Sequence, residues 1–173
     1  MSTTFQDIQR VGNGAQFHTA DLHIHSYGGS PDVKDPAMTI EAIVDTAVRQ
    51  GFSIIAITDH NTDRQTEHSI DYAQKYAGQL LVLAGVEVTT ANGHLLAYFP
   101  PANPAALRTF LARLSIAHAD TSDSHTAMAM ASVIDEAERL GGVCIAAHVD
   151  RVKTGFEVGA DRPKSRGDSE VRQ

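Results

Sequence analysis

The sequence contains a single cysteine among its 173 residues, and it lacks any apolar stretch of the length that a membrane span needs. One cysteine excludes a disulfide framework, and the apolar run around Cys144 predicts a buried, inert thiol. A membrane helix requires about 20 consecutive apolar residues, so no membrane partner is expected. Segment 1–11 is polar and lacks the apolar centre of a signal peptide. These absences together favour a cytoplasmic protein.

Basic residues are also scarce. Lysine and arginine total 14 against 21 acidic residues, which gives a formal net charge of -7. This balance argues against a broad electrostatic grip on a nucleic-acid backbone, although it leaves room for a local basic groove. A nucleic-acid partner is therefore open but not favoured. The sequence also lacks a P-loop, a nucleophile elbow and a zinc-finger spacing.

Apolar, β-branched segments alternate with amphipathic segments along the chain, and this order predicts an α/β fold with a mostly parallel sheet. Strands are expected at 17–24, 53–58, 80–84, 94–99 and 143–147, and helices at 39–50, 63–77, 105–114 and 126–140. We interpret segment 1–15 as a leader and 16–154 as one metal-binding domain. Segment 155–173 is rich in charge and glycine without periodicity, which is typical of a disordered tail.

Several of the nine histidines lie where predicted strands end. His23 and His25 are two residues apart on a strand, so both imidazoles point the same way and can reach one ion. His60 follows the second strand, Glu87 comes shortly after the third, and His148 ends the fifth. Sites in parallel α/β folds are assembled at the C-terminal ends of strands, so these residues predict one shared site.

Two further residues add to this set. His94 begins a strand after the turn that follows Glu87, and Asp32 lies in the loop after His25. Imidazole and carboxylate donors together favour zinc, manganese or iron, whereas calcium and magnesium prefer oxygen ligands alone. A glutamate can bridge two ions about 3.5–4 Å apart, and such a pair activates water and stabilises a phosphoryl leaving group.

Five short motifs, taken in order, resemble those of the PHP (polymerase and histidinol phosphatase) family. They are Asp21-Leu22-His23-Ile24-His25-Ser26, Ile57-Thr58-Asp59-His60-Asn61, Gly85-Val86-Glu87-Val88, Gly93-His94-Leu95-Leu96 and Ala146-Ala147-His148. The resemblance covers about residues 17–151 and implies a distorted (β/α)7 TIM-like barrel with a trinuclear metal site. Segments 93–100 and 141–150 also look like the N-terminal PHP part of larger PHP–ATPase-type proteins.

The resemblance implies a role for each candidate ligand of two or three divalent ions (zinc, manganese or iron). His23 and His25 would hold the first metal, Glu87 would bridge to the second, His94 and His148 would complete the second, and Asp32 and His60 would hold the third. Catalysis through a metal-bound water would then rest on His23, His25, His60, Glu87 and His148.

One departure from the family pattern follows His148. The family ends its metal site with an Asp-x-His motif, and neither Asp150 nor Asp161 is followed two residues later by a histidine. We therefore expect an incomplete barrel with about five of the seven strands, through truncation or a reading-frame change near Gly155. The first and third metal sites would be weakened, so this chain would be weakly active or inactive.

Other polar residues leave two interpretations open. Asp21 and Asp59 either orient imidazoles, as metal-binding histidines commonly require, or serve as structural caps. Arg151 and Lys153 either contact a substrate phosphate or lie in a solvated loop. The remaining histidines are interpreted as solvated: His18, His68, His118 and His125.

The leading functional hypothesis is a metal-dependent phosphoesterase, in which a metal-activated water attacks phosphorus without a covalent enzyme intermediate. Its substrate would be a phosphorylated small molecule, a nucleotide or a nucleic-acid end. One alternative is a non-catalytic metal-binding or interaction PHP module of a larger protein. Another is a metal-dependent nuclease that acts on DNA or RNA. The oligomeric state is left open by the sequence.

Overall fold

A computed structural model describes residues 17–149 of the chain. Its elements follow the order β1 Ala20–Ile24, α1 Ile40–Arg49, β2 Ile54–Ile57, α2 Thr66–Ala73, β3 Leu81–Thr90, β4 Gly93–Phe99, α3 Pro104–Arg113, α4 Met130–Arg139 and β5 Val143–Ala146, with a 3-10 turn at Gln74–Tyr76 after α2. The predicted leader 1–15, the boundary at 154 and the tail 155–173 lie outside the described residues, as do Asp150, Arg151 and Lys153.

The five strands form one curled sheet in the order β1-β2-β3-β4-β5. β1, β2 and β3 pair in parallel, whereas β4 pairs antiparallel with both β3 and β5. Four of the five strands therefore run in the same direction, which confirms the predicted, mostly parallel sheet. The described residues form a half-barrel, as expected for an incomplete TIM-like barrel of the PHP type.

The helices pack against one face of the sheet. Residues of α3 and α4, among them Phe110 and Val133, bury alternate side chains of β3 and β4 such as Val86 and Phe99. α1 covers β2 in a second cluster. The opposite face of the sheet carries a smaller cluster of Ala56, Leu96, Tyr98 and Ala147, to which none of the helices within residues 17–149 contributes. None of the helices among the described residues has the length and apolar character that crossing a bilayer requires.

Helix α1 shows how local sequence determines an element. Its buried stripe has helical spacing and consists of Ile40, Ile43, Val44 and Ala47. Thr39 is the N-cap, and its side chain accepts a hydrogen bond from the backbone N–H of Ala42 at 3.2 Å. Arg49 in the last turn complements the helix dipole. The predicted bounds of this helix are confirmed.

Replacing the cap threonine should destabilise the fold modestly. We expect Thr39→Ala to lower the free energy of unfolding by about 1 kcal/mol, because the N–H that Thr39 satisfies loses its acceptor. Urea denaturation followed by circular dichroism measures this change. Thr46→Ala is the matched control, because Thr46 is exposed in the middle of α1 and alanine is the better helix former there. Equal losses in the two variants would contradict the capping role.

The largest differences from the predicted bounds are in β3 and α4. β1 and α2 begin at Ala20 and Thr66, each three residues after its predicted start. β3 extends to Thr90, well beyond the predicted end at 84, because it pairs with β2 on one side and forms a hairpin with β4 on the other. Glu87 is therefore inside a strand and not in the loop after it. α4 begins at Met130 and not at 126, because Thr126 forms a parallel bridge with Thr90. Both differences arise from tertiary pairing that overrides local preference.

Candidate metal centre

The carboxylate of Glu87 is the centre of a cluster of five imidazoles. Glu87 is 1% exposed and points to the face of the sheet that the helices do not cover. Its Oε1 lies 2.8 Å from His94 Nδ1 and 3.0 Å from His148 Nε2, and its Oε2 lies 2.9 Å from His23 Nε2, 2.8 Å from His25 Nε2 and 3.6 Å from His60 Nδ1. The structure thus brings together every histidine that the sequence placed in one site.

A bulge in β1 directs His23 and His25 to this face. Leu22 packs on the helix-free side, whereas Ile24, two residues later, packs in the cluster beneath α1. Regular alternation would place both on one side, but the pairing of β1 with β2 shifts register between Asp21 and Ile24. The shift turns His23 and His25 towards Glu87, and their Nε2 atoms lie 3.1 Å apart.

His60 is held by a continuation of the β2–β3 pairing. The residue forms a parallel bridge with Glu87 just after β2 ends. The backbone N–H of Glu87 donates to Asp59 O at 3.3 Å. The backbone N–H of His60 donates to Ser30 Oγ at 2.9 Å, which attaches the loop after β1 to this segment. Backbone pairing therefore fixes the relative positions of His60 and Glu87.

His94 and His148 approach Glu87 from the antiparallel side of the sheet. His94 lies on β4 on the same face as Leu96, the register partner of Glu87. His148 follows β5 with a positive φ of 28°, and the backbone N–H of Ala147 donates to His94 O at 3.1 Å. The two imidazole centroids are 5.0 Å apart. The hairpin and its neighbouring strand thus supply the imidazoles nearest Oε1.

Asp32 is on the rim of the cluster. Its side chain is 60% exposed, with Oδ1 3.4 Å from His25 Nδ1 and Oδ2 3.9 Å from His60 Nε2. Three sets of potential ligands have donor atoms within 4.8 Å of one another: His23 with His25 and Glu87, His25 with Asp32 and His60, and His60 with Glu87 and His94. The first set matches the first metal that the family resemblance implies, and the second contains the implied pair Asp32 and His60 but adds His25, which the resemblance assigns to the first metal. In the third, His60 stands where the resemblance implies His148.

Burial and charge act in opposite directions on these groups. Burial alone would raise the pKa of Glu87, but hydrogen bonds with His23, His25 and His94 outweigh it and hold the pKa well below its ordinary value. Burial lowers the pKa of His60 to about 4, so this imidazole is neutral near pH 7. For His25 burial would lower the pKa, but the hydrogen bond and charge of Glu87 raise it.

The cluster fits a group of divalent cations. His60 Nδ1 is buried and has no hydrogen-bond partner among the described residues, although a neutral imidazole nitrogen is a good metal ligand. Glu87 presents each of its oxygens to a separate pair of imidazoles, which suits a carboxylate that bridges two ions. Mixed nitrogen and oxygen donors match zinc, manganese or iron.

Of the two interpretations left open for Asp21 and Asp59, their contacts support the structural cap. Asp59 is 2% exposed and accepts hydrogen bonds from Ser26 N at 2.7 Å and from Ser26 Oγ at 2.6 Å. Asp21 accepts a hydrogen bond from the backbone N–H of His23 at 3.3 Å. Both carboxylates therefore bind backbone or hydroxyl groups, so the alternative of a structural cap is the correct one. Repeated Ser and Gly in the loop 26–30 were the available signal for this contact.

The remaining histidines and the cysteine lie outside the cluster. His118 and His125 are exposed, with ring centroids 5.9 Å apart, and exposed His68 lies 3.0 Å from Glu41. Burial raises the pKa of the half-buried Cys144 thiol to about 11, so it is not ionised near pH 7. These observations agree with solvated histidines and an inert thiol.

The structure is an α/β half-barrel with five imidazoles and one buried carboxylate on one face of its sheet. This arrangement is typical of metal-binding proteins. Within that class, the sequence model of the PHP domain matches residues 21–164, and the chain belongs to the PHP family. The resemblance seen in the motifs is thereby confirmed. No curated protein matches the chain.

Three solved structures are similar to parts of the chain. Endonuclease Q in complex with a 27-mer duplex carrying an abasic lesion is 19% identical, with a TM-score of 0.57 over 76% of this chain and 35% of that one. A protein from Bifidobacterium adolescentis described as a metal-dependent phosphoesterase is 24% identical over 56% of this chain and 33% of that one, with a TM-score of 0.43. A Chromobacterium violaceum amidohydrolase with bound sulfate is 28% identical over the same shares, with a TM-score of 0.42. The chain spans about a third of the length of each of these three proteins. The similarity to endonuclease Q shows the fold.

Proposed function

We propose that the chain is the metal-binding part of a metal-dependent hydrolase that cleaves phosphate esters. The observation that carries this proposal is the placement of Glu87, whose two oxygens each lie within 3.0 Å of a separate pair of imidazole nitrogens. A buried carboxylate of this kind is positioned to bridge two cations. Membership of the PHP family supports a divalent metal centre and hydrolysis.

In this proposal the side chains have the roles that the family resemblance implies. His23, His25 and Glu87 would hold one ion, and Glu87, His94 and His148 would hold another. Asp32 and His60 offer a third position at the rim. The bound ions would supply the positive charge that polarises a phosphoryl oxygen and activates water. The chain itself would hold that charge in a partly enclosed site, with His60 kept neutral by burial.

A metal-reconstitution experiment tests the proposal. The purified chain is stripped with a chelator, reloaded with manganese or zinc, and analysed for bound metal by mass spectrometry. We expect about two or more ions per chain. Slow turnover of a panel of phosphomonoesters, nucleotides and DNA strands should appear with metal and vanish with chelator. An abasic duplex belongs in the panel because endonuclease Q shares the fold.

The same experiment separates the alternatives. Metal binding without turnover of any ester would favour the non-catalytic module. Turnover confined to DNA or RNA strands would favour the nuclease, for which the net charge of -7 is unfavourable. A chain that retains less than one ion after reconstitution, and is inactive, would refute the metal centre itself.

A further inference from the structure

Asn61 follows His60 directly, but its side chain is not one of the metal donors. The residue is 8% exposed and has a positive φ of 55°. Asparagine tolerates this left-handed conformation better than most residues, so a turn could be its whole role. Its hydrogen bonds indicate more than a turn.

The amide oxygen of Asn61 replaces a main-chain carbonyl in the sheet. Asp59 O accepts from Glu87 N–H, and Asn61 N–H donates to Glu87 O at 3.0 Å, as in a regular parallel pair. The next acceptor along this edge would be the backbone carbonyl of Asn61, but the positive φ turns the chain away. Asn61 Oδ1 accepts from Thr89 N–H instead, at 3.0 Å. The side chain thus prolongs the pairing of β3 by one hydrogen bond.

The other end of the same amide holds a different segment. Asn61 Nδ2 donates to Ser124 O at 2.9 Å. Two residues later, Thr126 N–H donates to Thr89 O, also at 2.9 Å, and Thr126 forms a bridge with Thr90. Along this edge of β3, the successive hydrogen-bonding partners are therefore β2, the side-chain amide of Asn61 and the backbone of Thr126.

Ser124 lies near the end of the loop 115–125, which we call the rim loop, and Thr126 follows it directly. The rim loop is exposed over most of its length and has a second attachment at Asp120, which accepts from Arg64 Nη2. Arg64 Nη1 also donates to Gly28 O at 3.2 Å, in the loop after β1. The rim loop is therefore attached next to His60 through Asn61 and, through Arg64, to the loop after β1. The attachment at Asn61 is buried.

We propose that Asn61 is a positioning residue that couples the rim loop to the strand carrying Glu87. The amide aligns Thr89, two residues from Glu87, and fixes the rim loop beside the site through Ser124. The coupling is a property of the fold and does not depend on the proposed reaction. If the phosphoesterase proposal is also correct, the rim loop limits which esters reach the metal centre.

Two substitutions separate the two hydrogen bonds. Asn61→Gly removes the whole amide and accepts the positive φ without strain. Asn61→Asp keeps the acceptor for Thr89 N–H but places a carboxylate oxygen against Ser124 O. Amide hydrogen exchange of Thr89 and Thr126 is measured for both variants, with and without manganese. No substrate is required, so an inactive chain tests this proposal equally well.

We expect Asn61→Gly to accelerate exchange at Thr89 and Thr126 by about fivefold, because each buried hydrogen bond is worth about 1 kcal/mol. Asn61→Asp should accelerate Thr126 and spare Thr89. Asp120→Asn is the control: it weakens only the ion pair between side chains that are 50% and 58% exposed, so both amides should keep their protection. With a hydrolysed ester, Asn61→Gly should raise KM more than it lowers kcat.

The coupling is overturned by any of three results. Unchanged exchange at both amides in Asn61→Gly would reduce the residue to a turn former. If that variant does not fold, unchanged exchange at Thr126 in Asn61→Asp decides against the proposal. Equal acceleration in Asp120→Asn would assign the attachment of the rim loop to Arg64 and not to Asn61.

Discussion

Glu87→Gln should abolish tight metal binding and any hydrolysis that depends on it. Glutamine has the same shape, so the buried side chain still fits, but it replaces two anionic oxygens with one neutral acceptor and an NH2 group. Oε1 and Oε2 each face two imidazole nitrogens within 3.0 Å, so the substitution affects both predicted ion positions at once. Removing a group that hydrogen-bonds a metal ligand typically lowers metal affinity by about 10–100-fold. Removing a ligand that bridges two ions should therefore lower it by more than about 100-fold.

Calorimetric titration with manganese measures this loss directly. Glu41→Gln provides the matched control, because it makes the same chemical change at an exposed helical residue whose partner is His68. Asp32→Asn removes a carboxylate from the rim, where the side chain is 60% exposed, and should weaken binding less than Glu87→Gln does. Unchanged manganese affinity in Glu87→Gln would refute the bridging role.

The elements that could be predicted from the sequence are those whose pattern is local. Helix α1 has a cap at Thr39, a buried stripe at helical spacing and a glycine at position 51 that stops it, so its bounds are correct to within one residue. β2 is a short apolar run, as a strand covered on both sides should be. Neither element needs information from a distant segment.

The features that could not be predicted depend on partners far away in the chain. The bulge in β1 comes from its pairing with β2, and nothing in the local alternation of Asp21 to Ile24 reveals it. The extension of β3 to Thr90 depends on β4 and on the bridge to Thr126. Convergence at the site was still predictable, because strand ends in one sheet meet at one edge whatever their exact bounds.

The partner of Asp59 could not be chosen from the sequence, which left two interpretations open. An aspartate beside a metal-binding histidine is commonly interpreted as the group that orients an imidazole. Here the carboxylate is turned inward to Ser26, because the loop 26–30 brings a serine hydroxyl and a backbone N–H within 2.7 Å of it. Only a glycine at position 29 leaves room for that arrangement.

Gly29→Ala should disrupt the loop between His25 and Asp32. A Cβ at Gly29 would overlap the carboxylate of Asp59 and come within 2.5 Å of Ser26 Oγ. Asp59 is 2% exposed and cannot move aside without losing both of its hydrogen bonds to Ser26. Overpacking of this kind costs about 1–3 kcal/mol of unfolding free energy.

The displacement should reach the metal centre as well. Ser30 Oγ, next to Gly29, accepts a hydrogen bond from the backbone N–H of His60. Movement of the loop should therefore shift His60 together with His25. We therefore expect a loss of manganese affinity beyond the loss of stability, measured by calorimetry and by urea denaturation on the same preparation. Gly78→Ala separates the two effects: Gly78 has a φ of 83° with open space around it, so alanine there costs about 1–2 kcal/mol through the backbone alone. If the two variants lose similar stability but only Gly29→Ala lowers the manganese affinity, the loop positions the ligands. If the manganese affinity is the same in both variants, the loop does not position them.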